Sequence, residues 1–281
     1  MTAASAPLTS RVSVRGGGRS GRIGQGICYR SYRMPAQASH EGEESARKLA
    51  LPVGHGRSRP IRRAACTARF VEDHNVAPAR NRVTPLGDIE AIPLRGAWTG
   101  NRGILHSGRE IVRFHASDLW ITCALEFRGR WREQWLAHHF TWLFFHDEAV
   151  SFAAGHRPCA ECRRDSYNTY RAAWAEGLGV EVPSAKLMNR QLHGERIVRG
   201  SHRRRFHELP WADLPDGAFV LLETNSPAVV VGDHLAEWTR EGYRGHRRRP
   251  TTGMADVVTP PLTVAALRAG YPVQIDDAAR E

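Results

Sequence analysis

The sequence predicts an α+β protein: a small antiparallel sheet with short helices carrying a Cys-x-x-Cys metal site, followed by a β-rich C-terminal part. Three observations predict it. Alternating β-branched and aromatic residues begin soon after residue 81. Two stretches with helical spacing flank "GHRPCAECRR", residues 155–164. From 217 onward, strand-like runs are separated by Asn, Ser, Pro and Gly.

Residues 1–80 come first and fit none of these patterns. "RGGGRSGRIGQG" and "GHGRSRPIRRAA" are rich in Arg, Gly and Ser, with few large apolar groups to offset the entropy of ordering. They read as a disordered basic segment. It could be a nucleic-acid-binding arm, a transit peptide (no acid occurs in residues 1–40), or upstream sequence preceding a true start at Met34 or later.

Residues 81–177 read as a small α+β domain. "EIVRFH" and "DLWITCALEF" alternate like strands, and the Arg-Gly of "EFRGRWREQW" suggests a hairpin connection. "FTWLFF" is apolar throughout, as a central strand would be. Asp147 can cap a short helix, "EAVSFAA", which Gly155 stops. A longer helix should start at Asp165 or Ser166. Its Tyr167, Tyr170 and Trp174 make one apolar face toward the sheet, and Gly177 and Gly179 end it.

Residues 178–281 read as a β-rich second domain or lobe. "SAKLMNRQLHGERI" is a helix with Leu187, Leu192 and Ile197 among its apolar positions, and a basic loop follows. "DGAFVLLETNSPAVVVGDHLAEW" gives two strands about Asn225-Ser226-Pro227 and a third after Gly232-Asp233. "TPPLTVAALRAGYPVQI" gives a helix with Pro in its first turn, then a terminal strand.

The net charge of +11 and pI of about 10.2 favour a polyanionic partner. Residues 1–80 hold 14 Lys/Arg against 5 Asp/Glu, so most of that excess belongs to the segment and not to a folded surface. Five cysteines, an odd number and mostly far apart, exclude a secreted disulfide framework. No apolar run approaches the roughly 18 residues of a membrane span. The expectation is a cytoplasmic protein with no membrane partner.

Cys159 and Cys162 can bring two thiolates to one ion. Pro158 before them and a helix after them fix the backbone, and the helix N-terminus favours thiolate charge. Zn²⁺ wants four such ligands, and the pair supplies half. Two buried structural cysteines and a redox pair are the alternatives. Ala160 and Glu161 between the cysteines, and the lack of a thioredoxin-like first strand, weigh against redox use.

The residues Phe144-Phe145, Asp147, Ala149, Ala153-Ala154-Gly155, Arg157-Pro158-Cys159 and Cys162-Arg163 resemble the second half of the Ada-type DNA-repair metal-binding domain. There an aromatic strand and a short helix lead into "R-P-C-x-x-C"; the same half-motif occurs in hairpin modules attached to some nucleases. Residues 81 to the C-terminus also resemble an uncharacterised bacterial family carrying "GNRG", "FF-DEA…AAGHRPCAECRR" and "TPP…VAALRAGY". The resemblance implies zinc and association with nucleic acid, DNA rather than RNA, in DNA repair. It does not carry methyl transfer, because the upstream C-x-x-x-C pair that completes the Ada-type site is missing.

The remaining zinc ligands must then come from elsewhere. His106, in "GNRGILHSG", is placed first, then His138 and His139, then His115. His156 adjoins the pair but reads as exposed. Cys123 and groups from the second domain are further ligand candidates, but Cys123 shares a strand face with Leu119, Ile121, Leu125 and Phe127, and core packing is its first assignment. His193, His202 and His207 lie too far downstream for a compact finger.

Two alternatives stand beside this reading. His146-Asp-Glu148 with Pro158-Cys-x-x-Cys162 spells the zinc-deaminase signature, which would make the protein a zinc hydrolase. Its nine-residue spacer is too short for the helix and strand such enzymes place there. A structural zinc module for protein interaction is the other. For nucleic-acid contact the candidates are Arg157, Arg163, Arg203, Arg204, Arg205, Arg247 and Arg248; exposed loop charge is the plainer account of the two triplets. Trp131, Trp135 and Trp142 could stack on bases or fill a core.

Overall fold

A computed structural model of the chain describes residues 77–130, 133–198, 201 and 204–281. The reading of residues 1–80 as disordered therefore falls almost wholly outside the described residues, as do Trp131, His202 and Arg203. The described residues belong to one compact unit.

Short strands build the first lobe. In chain order they are β1 (Arg82–Val83), β2 (Ile89–Glu90), β3 (Trp98–Asn101), β4 (His106–Ser107), β5 (Glu110–Ile111), β6 (Ile121–Cys123), β7 (Leu143–Phe145) and β8 (Arg157–Pro158). Six of them form a sheet of order β2-β1-β7-β3-β6-β8, while β4 and β5 make a separate hairpin. The sheet is mixed, not antiparallel throughout, because β1 pairs β7 in parallel and β6 pairs β8 in parallel.

The apolar "FTWLFF" does supply an interior strand, β7. "EIVRFH" and "DLWITCALEF" form only two- and three-residue strands, and Arg-Gly makes a turn, with Arg130 N–H bonding Phe127 O at 3.1 Å. Within β6 the buried residue is Thr122, and Trp120 before it is fully buried, whereas Leu119 and Leu125 are exposed. The buried parity is thus one residue off from the apolar alternation.

Helix α1 (Glu148–Ala153) starts where Asp147 caps it: its carboxylate accepts from Val150 N–H at 2.7 Å. Gly155, at φ 86°, stops it. Helix α2 (Arg164–Leu178) buries Tyr167, Tyr170 and Trp174 as expected, but mainly against helices, with the edge strand β8 touching only one end of that face. Their partners come from α1, from α3 (Ala185–Arg196) and from α4 (Pro261–Arg268). Gly177 lies inside α2; a Cβ there would meet Ala265 O at 2.4 Å, so its role is close helix approach.

The second lobe is a six-stranded antiparallel sheet. Its strands are β9 (His207–Pro210), β10 (Phe219–Leu221), β11 (Pro227–Val231), β12 (His234–Thr239), β13 (Gly242–Arg248) and β14 (Met254–Val257). Their order is β13-β12-β11-β10-β14-β9. The turn at Asn225 and the strand after Gly232-Asp233 form as read. The expected terminal strand does not: Gln274 instead donates its N–H to the Glu148 carboxylate, and its carbonyl accepts from Ala149 N–H.

The 177/178 boundary runs through shared packing. Val83, Phe145 and Val150 of the first lobe lie in one apolar cluster with Phe219, Val229 and Trp238 of the second. The buried Asp147 carboxylate ties them further, accepting from Tyr243 OH at 2.7 Å and from Asp276 N–H at 3.0 Å. Among the described residues no helix is long and apolar enough to cross a membrane.

Candidate metal centre

The parallel pairing of β6 with β8 positions the site. Ile121 stands opposite Arg157 and Thr122 opposite Pro158, and Cys159 N–H continues the ladder to Thr122 O at 2.9 Å. One step further along both strands, Cys123 and Cys159 become neighbours across strands some 4.8 Å apart. Pro158, which has no N–H to donate, occurs on the edge strand where none is missed. The chain then turns through Ala160 and Glu161, and Cys162 comes back just before α2.

The result is three sulfurs. Those of Cys123, Cys159 and Cys162 all lie within 4.8 Å of one another, with Cys159 buried and the other two half-buried. Glu161 N–H points at Cys159 Sγ from 3.4 Å. The thiols of Cys123 and then Cys162 donate toward Cys159 and hold it well below the ordinary thiol range, which drives the Cys123 thiol far up. Three crowded sulfurs sharing negative charge match the donor chemistry of a thiolate-loving ion.

Cys123 is therefore a site residue and not core packing. Its parity is the exposed-side parity of β6, and that lets its sulfur leave the core and meet the pair. Cys28 and Cys66 lie outside the described residues.

Among the described residues no histidine joins the three sulfurs. His106 is buried and its Nδ1 lies 2.6 Å from Thr141 Oγ1, its ring edge-on to Trp135 at 5.4 Å. His138 is exposed at φ 63°, and His139 is exposed against Ala137 O. His115 packs on Trp120 and His193. His156 is fully buried, not exposed, and accepts from Arg102 Nε at 3.3 Å. Burial first, and then the charges of Arg102, Arg196 and Arg204, push its pKa well below the usual value.

The deaminase arrangement is likewise not assembled. His146 Nε2 faces Asp276 at 3.5 Å. The buried Glu148 carboxylate accepts from Arg163 Nη2 at 2.5 Å, Tyr271 OH at 2.8 Å and Gln274 N–H at 3.1 Å, and is fully engaged there. Glu161, the other acid beside the cysteines, is exposed and paired with Arg130 at 2.6 Å.

The arginines divide. Arg157 is buried, bonded to Asn189 and to Pro158 O, with its guanidinium over Tyr167. Arg163 is buried between Glu148 and the face of Trp98, 3.8 Å away. Arg204 is half-buried and donates to Ala153 O and Ala154 O at the end of α1 and to Val258 O. Arg157 and Arg163 are structural, which corrects their assignment to nucleic-acid contact; Arg204 holds carbonyls with both its Nη atoms, and only its Nε has no acceptor. Arg205 is exposed with Nε on Ile197 O. Arg247 and Arg248 stay exposed, with Arg244 and His246, on the edge strand β13. Trp135 and Trp142 are half-buried, so neither is a core residue outright.

No family model, no curated protein and no solved structure matches this chain.

Proposed function

We propose that the chain is a cytoplasmic zinc protein in which Cys123, Cys159 and Cys162 hold one Zn²⁺ that clamps β6 to the β8–α2 junction. The observation that carries this is the convergence of three sulfurs from two separate segments. Sulfur-rich donor sets suit Zn²⁺, and the reducing cytoplasm keeps such thiols available. The test is metal analysis of the purified full chain. About one equivalent of zinc is expected, and it should be lost with Cys123→Ser as fully as with Cys162→Ser. A metal-free wild type, or a Cys123→Ser variant that keeps its zinc, would overturn the assignment.

The second element of the proposal is association with DNA. The resemblance of residues 144–163 to the Ada-type half-motif supports it, and so does the exposed arginine row of β13. Charge reversal of Arg247 and Arg248 should weaken duplex binding by the full chain and flatten its salt dependence. Binding indifferent to both changes would assign it elsewhere. The hydrolase alternative finds no support at Glu148, whose carboxylate already serves Arg163, Tyr271 and Gln274.

A further inference from the structure

A second cluster uses none of the cysteines. Arg102 and Arg196 are 0% and 1% exposed, and Arg204 stands beside them half-buried. Among the described residues none of the three has a carboxylate within ion-pair distance. Carbonyls and ring faces hold them instead. Arg102 donates to Gly87 O at 2.9 Å, and Arg196 donates to Gly155 O and Asp118 O, each at 2.7 Å. The guanidiniums of Arg102 and Arg196 lie 4.1 and 3.8 Å from the ring of the fully buried Trp120.

The backbone makes room for this crowding. At Gly155 a Cβ would stand 2.7 Å from Arg196 Cδ and 3.3 Å from Arg204 Nη1. At Gly87 it would stand 3.5 Å from Arg204 Cδ and 3.7 Å from Arg102 Nη2. Both glycines have positive φ, so no other residue is readily accommodated at either.

Two of these charges are out of water and the third stands beside them. Asp88 and Asp118 offset them only from beyond ion-pair distance, and a closer opposite charge would relieve the repulsion. The donors for one are present: Arg102 Nη2, Arg196 Nε and Arg204 Nε are buried with no acceptor. Two half-exposed imidazoles adjoin them. His115 and His193 meet edge to face at 5.1 Å, and His193 Nδ1 lies 3.0 Å from Arg196 Nη2.

We propose that this cluster binds a phosphoryl group, with Arg102 and Arg196 taking its charge and His193 and His115 forming the rim. Charge-assisted N–H bonds from guanidinium to phosphate oxygen are strong. One free nitrogen on each of three neighbouring guanidiniums suits a tetrahedral dianion better than a carboxylate, which offers only two oxygens.

The test is calorimetric titration of the full chain at fixed ionic strength, with inorganic phosphate in one arm and AMP in the other. Saturable one-to-one binding is expected, with a melting temperature that climbs with ligand concentration while equivalent chloride leaves it unchanged. Tighter AMP binding would identify a phosphate ester as the ligand, and phosphate alone the free ion. Arg196→Lys keeps the charge and tests the guanidinium's N–H donors, but Arg196 also bonds two carbonyls and its loss can unfold the chain. His193→Gln, on the rim, keeps the test decisive: affinity should fall about tenfold with the fold intact. No binding beyond chloride in either arm, or binding unchanged in a folded His193→Gln, overturns the proposal.

Discussion

Glu195 shows how a single side chain carries a pH dependence. Its carboxylate caps α4, accepting from Leu262 N–H at 3.1 Å, and burial raises its pKa from 4.5 to about 7 despite that bond. The folded chain therefore holds this proton more tightly than the unfolded chain does. Stability falls as pH rises from about 4.5 through 7, and the penalty is complete above that. Glu195→Gln keeps an oxygen acceptor and removes the charge. It should stabilise the protein at pH 8 by about 1–2 kcal/mol, discounted for partial exposure, and be near neutral at pH 4.5. Urea denaturation at both pH values measures it, and equal effects would contradict the argument. Glu148 is the opposite case. Its loss leaves the buried Arg163 without a counter-charge, so Glu148→Gln should lower stability by about 3–5 kcal/mol in the same assay. Helical spacing and capping rules made Asp147 legible as a cap in the sequence. They could not show Glu148 as half of an internal ion pair, because Arg163 reaches it only after the chain turns through β8 and the cysteines, and Tyr271 and Gln274, which complete its contacts, lie more than a hundred residues away.

At the scale of elements, short strands bring the three sulfurs together, and helices pack closely elsewhere. Parallel pairing of β6 with β8 is what sets Cys123 beside Cys159, and parallel partners leave no turn signal between them. The apolar alternation around Cys123 favoured the wrong face for the same reason: with three residues in a strand, parity is fixed by neighbours and not by pattern. Helices were more legible. The cap of α1 and the apolar face of α2 follow local rules, and the structure keeps both. Gly177 is the exception, a glycine inside α2 where a stop was expected. Gly177→Ala adds helix propensity yet drives a methyl group into Ala265 O, 2.4 Å away. The backbone of α4 must retreat, and a net loss of about 1–3 kcal/mol is expected by thermal unfolding. A stabilised variant would mean that α2 and α4 approach less closely than described.

At the scale of the molecule, two sheets share one apolar cluster and are pinned through Asp147, Tyr243 and Asp276. Tyr243→Phe removes one buried hydrogen bond to a carboxylate and should lower stability by about 1.5–3 kcal/mol. It should do so in a single transition, since the cluster spans both lobes. Two separated transitions in calorimetry would show that the lobes unfold independently. Removing a zinc ion by chelation should lower the same transition, because the ion would link strand and helix in the folded state only.

By itself the sequence determined the mixed α and β character, the helix beginnings, the turns of the second sheet and the Cys159–Cys162 pair. Each of these depends on residues within a few positions of one another. Only the tertiary structure decided the third sulfur, the internal fate of Arg157, Arg163 and Arg204, and the gathering of guanidiniums about Trp120. Those depend on which distant strands and helices meet. Side-chain chemistry alone does not separate an arginine that faces a phosphate from one that holds a carbonyl inside the fold.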